Sequence, residues 1–71
     1  MSPEEKLRLL RAEVDAFASA TPSTRLTALP DWGSLAILLV IVHCEEKHRV
    51  VLSGAQIRNC DTVADLLALI P

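Results

Sequence analysis

The sequence predicts a single all-α domain spanning residues 1–71, and three observations point to it. The chain is 51% apolar yet has one Trp, one Phe and no Tyr, so Leu, Ile, Val and Ala must fill the interior. Leu7, Leu10, Val14 and Phe17 recur at spacings of three and four, a single stripe on a helix. Two segments, Ser2-Pro3-Glu4-Glu5 and Thr62-Val63-Ala64-Asp65, read as helix starts. The expected elements are three main helices plus one short helical turn.

In the first element, Ser2 is placed as N-cap, Pro3 at the first helical position, and Glu5 as the return partner of a capping box. The stripe fades near Ala18 and Thr21-Pro22-Ser23-Thr24 breaks it, which puts the first helix at about residues 3–18. A long loop follows over 19–33. Its Leu26, Leu29 and Trp32 are apolar, so the loop is expected to pack on the body.

Ser34 then opens an aliphatic run, Leu35-Ala36-Ile37-Leu38-Leu39-Val40-Ile41-Val42. Ile and Val suit a strand, but the run continues without a turn signal through His43-Cys44-Glu45-Glu46-Lys47. That length favours a second helix at about 34–47. Val50-Val51-Leu52 reads as extended chain or loop, Ser53-Gly54 as a turn, and Ala55 to Asn59 as one short helical turn. Thr62 caps the last helix, whose buried face is Val63, Leu66, Leu67 and Ile70.

Charge and hydropathy exclude several classes of function. The formal net charge is −2 and the seven Lys and Arg are scattered, which argues against a nucleic-acid partner. The longest apolar stretch is far too short to span a bilayer. The acidic, polar start of the chain is unlike a signal peptide, so a cytoplasmic location is expected, with Cys44 and Cys60 as reduced thiols. No nucleophile–base–orienter set can be assembled, so no enzymatic activity is expected. Glu4, Glu5, Glu13 and Asp15 read as a solvated face that complements helix dipoles.

Ser34 is the position with the most chemistry. Its plain reading is a helix N-cap. Its sharper reading is a modification site, because a helix N-terminus stabilises a phosphate ester.

The ordered set Trp32-Gly33-Ser34-Leu35-Ala36-Ile37-Leu38, Glu45-Glu46-Lys47, Leu52-Ser53-Gly54 and Thr62-Val63-Ala64-Asp65-Leu66 resembles the acyl carrier protein family over nearly the whole chain. The resemblance implies an antiparallel bundle of three main helices plus one short helical turn, with 4′-phosphopantetheine esterified to Ser34 and holding acyl intermediates as thioesters. It implies a phosphopantetheinyl transferase and acyl-processing enzymes of lipid, fatty acid or polyketide biosynthesis as partners. Leu35, Leu38 and Val42, with Leu39 beside them, would form the partner surface, followed by Glu45 and Glu46. Ile37, Val40, Ile41, Cys44, Leu52 and Leu66 would face the bundle and any acyl chain stored there.

The sequence departs from the family pattern at three sites. Gly33 stands where Asp usually precedes the serine, Leu39 where an acid is common, and His48-Arg49 where a Phe is typical. An alternative reading is therefore an unmodified helical interaction module with an apolar partner or homodimer interface. By the same resemblance Cys60 would lie near Cys44 and His48, a zinc-like set only if His43 or water completed it. His43 is expected on another face from His48, and two thiols packed as small hydrophobes are the favoured reading, with no metal.

Overall fold

The computed structural model describes residues 1–71 and is built from four α-helices with no β-strand. These are α1 (Pro3–Glu13), α2 (Ser34–His48), α3 (Gly54–Arg58) and α4 (Val63–Leu67). Two short 3-10 turns, Asp15–Phe17 and Leu26–Ala28, lie between α1 and α2. The all-α class stands, but the expected proportions do not: α1 and α2 have 11 and 15 residues, whereas α3 and α4 have five each. No helix is long and apolar enough to cross a membrane.

α1 begins as expected, with the Glu5 N–H donating to Ser2 Oγ at 3.2 Å. The return half of the box is missing, because the Glu5 carboxylate pairs with Arg8 one turn on. The helix also ends at Glu13, five residues short of expectation. Val14 turns extended (φ −121°, ψ 106°) while its N–H still bonds Leu10 O, and a 3-10 turn follows. Val14 and Phe17 are three apart, a spacing that fits a 3-10 turn as well as an α-helix, so periodicity could not detect the break. Both remain buried across it, and Arg11 donates to the Ala20 carbonyl beyond it.

The long connection before α2 is tied down by backbone hydrogen bonds. Leu26 N–H donates to Asp61 O, Val63 N–H to Thr24 O, and Ala64 N–H to Pro22 O, each at 2.9 Å. Arg25 and Thr62 form an isolated antiparallel bridge within this seam. The loop therefore packs on the start of α4, and Leu26 and Leu29 are buried as its apolar residues required.

α2 extends one residue past expectation and closes on Arg49 in the left-handed region (φ 58°), whose N–H bonds Glu45 O. α3 and α4 each carry a complete capping box, Ser53 with Gln56 and Thr62 with Asp65. Sequence reading found the second box and took Ser53 only as part of a turn. α4 stops after Leu67, where the buried Lys6 ammonium donates to Ile70 O at 2.5 Å and to Leu67 O at 3.4 Å.

One core joins all four helices. It includes Leu7 and Leu10 of α1, Val14, Phe17, Leu26 and Leu29 of the connection, Ile37, Val40 and Cys44 of α2, Leu52, Ile57 of α3, and Val63, Leu66 and Leu67 of α4 with Ile70. Each large aliphatic side chain buried there contributes about 1.5–3 kcal/mol. The two short helices depend on this packing, since five-residue helices do not persist alone in water.

Candidate functional site around Ser34

Pro30 and Asp31 set the entry to α2. Asp31 is in the left-handed region (φ 57°), a conformation that Asp tolerates better than most residues. Trp32 then packs edge-on against Phe17, with ring centroids 5.8 Å apart and planes at 87°. Gly33 is the N-cap in an extended conformation (φ 178°, ψ −160°), and Ser34 is the first helical residue.

This register overturns the plain reading of Ser34 as cap. The cap position is one residue earlier, and no side chain caps α2 at all. Ser34 is exposed and its hydroxyl makes no hydrogen bond within the protein. It stands beside the first-turn N–H groups of a fifteen-residue helix, where partial positive charge gathers. A cleft of about 270 Å³ opens directly beside it, walled by Trp32, Ile37, Ile57, Arg58 and Cys60. Arg58 is the only charged residue in that cleft. Its side chain lies across Gly54, where a Cβ would come 2.9 Å from the guanidinium. Sequence reading missed Arg58, because the contact depends on how α3 packs against α2.

The aliphatic residues of α2 divide into two rows. Leu35 is 70% exposed, Leu38 54%, and Leu39 and Val42 42% each, with Glu45 and Glu46 exposed beyond them. Ile37, Val40 and Cys44 are buried and Ile41 is half-buried, while Leu52 and Leu66 are buried opposite. Of these six inward residues only Ile37 borders a cleft, and the remainder are in close-packed contact. These four residues leave 42–70% of their surface exposed, which is uncommon for so many aliphatics on one helix face.

The thiols are free and poorly suited to nucleophilic work. Burial pushes Cys44 up to about 11, and burial together with the Asp65 carboxylate raises Cys60, whose Sγ donates to Gln56 O at 3.4 Å. Both stay as thiols at neutral pH. No three of the His, Cys, Asp and Glu side chains gather as a metal-binding group, so Cys44, His48 and Cys60 are not brought together as one.

His43 departs from expectation. It is buried, and its ring centroid lies 5.5 Å from that of His48, not on a separate face. The C-terminal half of α2 brings the His43 ring against Glu13 at the end of α1. His43 Nδ1 is 3.3 Å from Glu13 Oε2, close enough for charge pairing but not aligned for a hydrogen bond. Lys47 Nζ holds the other oxygen, Oε1, at 3.0 Å. The Lys47 ammonium first, then the nearby His43 imidazole, holds the Glu13 carboxyl below its ordinary range. Desolvation first, then the nearby His43 and Lys6, lowers the His48 imidazole.

No protein-family model, curated protein or solved structure matches this chain.

Proposed function

We propose that this chain is a carrier protein of the acyl carrier type, with 4′-phosphopantetheine joined through its phosphate to Ser34 and no catalysis of its own. One observation bears most of the weight. The Ser34 hydroxyl is exposed and uncommitted at the leading edge of α2, although serine in such a place ordinarily serves as a cap. A phosphodiester there would meet the positive end of the helix and the Arg58 guanidinium of the adjoining cleft. The arm would hold an acyl group as a thioester and raise its local concentration at each docked enzyme. The exposed row Leu35, Leu38, Leu39 and Val42 is the surface those enzymes would contact, with Glu45 and Glu46 at its far end. In this reading the helices take the family's antiparallel arrangement, and the partners belong to lipid, fatty acid or polyketide synthesis in the cytoplasm.

The decisive experiment incubates the protein with coenzyme A and a broad-specificity phosphopantetheinyl transferase. Intact mass rises by one phosphopantetheinyl group, and Ser34→Ala abolishes the gain. No gain with any transferase removes the carrier reading.

A second reading follows from Gly33 and from the four exposed aliphatics of α2. In it the serine is never loaded, and the apolar row is a permanent interface, either with a partner or between two copies. A sedimentation profile that shifts with protein concentration, together with unchanged mass, selects that reading.

A further inference from the structure

Two imidazoles are packed together near the end of α2, and three of their nitrogens have no hydrogen-bond partner. His43 is 1% exposed, with both Nδ1 and Nε2 sheltered and unbonded, and the sheltered Nε2 of His48 is unbonded too. The ring centroids are 5.5 Å apart, with planes at 66°. Sheltered polar atoms without partners cost stability, so this junction is held shut by little besides packing and the Glu13 pairings.

The charges that face the two rings differ. From α1, one Glu13 oxygen stands 3.3 Å from His43 Nδ1, while Lys47 of α2 holds the other at 3.0 Å. Also from α1, the Lys6 ammonium, anchored on the Leu67 and Ile70 carbonyls beyond α4, disfavours charge on His48. Glu45, Glu46 and Arg49 are exposed, and no carboxylate pairs with His48. A proton on His43 therefore meets a carboxylate, whereas a proton on His48 meets a cation and a second imidazole. The balance inverts once the His48 ring reaches water. His48 is the last residue of α2, where the helix dipole stabilises a hydrated cation.

We propose that His43 and His48 form an acid-operated latch: a proton on His48 drives its ring into solvent, and the end of α2 parts from α1 while the rest of the bundle stays folded. The chain has no other histidine, so no other side chain of the fold changes charge between neutral and mildly acid pH. Cys44 is fully buried next to His43 and lies four residues from His48 on one helix face, so opening the latch exposes its thiol. The device uses neither Ser34 nor the outward row of α2, and it stands whether or not the serine is loaded.

The test follows Cys44 labelling by the aromatic disulfide dithiodipyridine, in the full chain carrying Cys60→Ser so that one thiol remains. Relative to a cysteine peptide at the same pH, labelling should be about tenfold faster or more at about pH 5.5 than at about pH 7.5. Helical circular dichroism should be the same at both. His48→Gln, polar but unable to take a charge, should remove the acceleration. A rate indifferent to pH, equal acceleration in His48→Gln, or acceleration accompanied by loss of helix would each overturn the latch. The histidine ring resonances of the unaltered chain give a reading that needs no variant. Titration of His48 should move the amides of His43 and Cys44 with it, and titration that leaves those amides in place overturns the proposal as well.

Discussion

Lys6 and Ile70 are separated by nearly the whole chain, yet the Lys6 ammonium donates to the Ile70 carbonyl at 2.5 Å from a buried position. The same ammonium reaches Leu67 O, which also accepts from the Ile70 N–H, so one cation on the first turn of α1 ties down the chain just after α4. Lys6→Met keeps the aliphatic stem and removes the donors. We expect a loss of about 1–3 kcal/mol, because the Ile70 carbonyl loses its partner and the Leu67 carbonyl keeps only the Ile70 N–H. A lower denaturation midpoint with unchanged slope in urea checks this, and an unchanged midpoint contradicts it.

Gly33→Asp should be accepted without rearrangement. A Cβ built there meets nothing within 4 Å, and the extended backbone of Gly33 suits any residue. Asp at the N-cap can accept from the uncapped first-turn N–H groups and oppose the helix dipole. The expected gain is about 0.5–1 kcal/mol, read as a higher melting temperature. If Ser34 is a loading site, the variant should also be modified faster, since it restores the acid usual before the serine. A drop in melting temperature would refute the local geometry.

Acid should weaken the fold in two steps. His48 is held below its ordinary value of 6.5, so the unfolded chain takes up its proton first. The stability it contributes is complete above about 6.5 and drains away as pH falls through the lower, folded value. Glu13, lowered by Lys47 and His43, and Asp65, lowered by the Thr62 and Asp61 N–H groups, add a second loss below the ordinary carboxylate range. His48→Gln should flatten the first step and spare the second. Melting temperature followed across pH distinguishes them, and a wild-type curve flat from neutral to mildly acid pH would exclude the first step.

Truncations on the two sides of the bundle should behave oppositely. Leu66→Ala empties a fully buried site and should cost about 2–4 kcal/mol. Leu38→Ala, at 54% exposure, should change stability by less than about 0.5 kcal/mol while reducing partner binding. Equal destabilisation of the two variants would mean that α2 is turned the other way.

Several features were legible from residues alone because their causes are local. The Ser2 and Thr62 caps are side chain-to-backbone contacts three residues long. The two rows of α2 follow from a turn of about 100° per residue, which prevents eight successive aliphatics from all facing inward. The break after Glu13 was not legible, since a 3-10 turn keeps the same apolar spacing.

By itself the sequence determined an all-helical chain, the starts of its first, second and last helices, and an excess of aliphatic surface on α2. Those are consequences of propensity, capping and period, which act within a few neighbouring residues. Only the tertiary structure decided that Glu13 meets His43 and Lys47, that Arg58 shares a cleft with Ser34, and that Lys6 reaches the Ile70 carbonyl. Each of those relations joins different segments, and the distance between their side chains is set by how the helices pack.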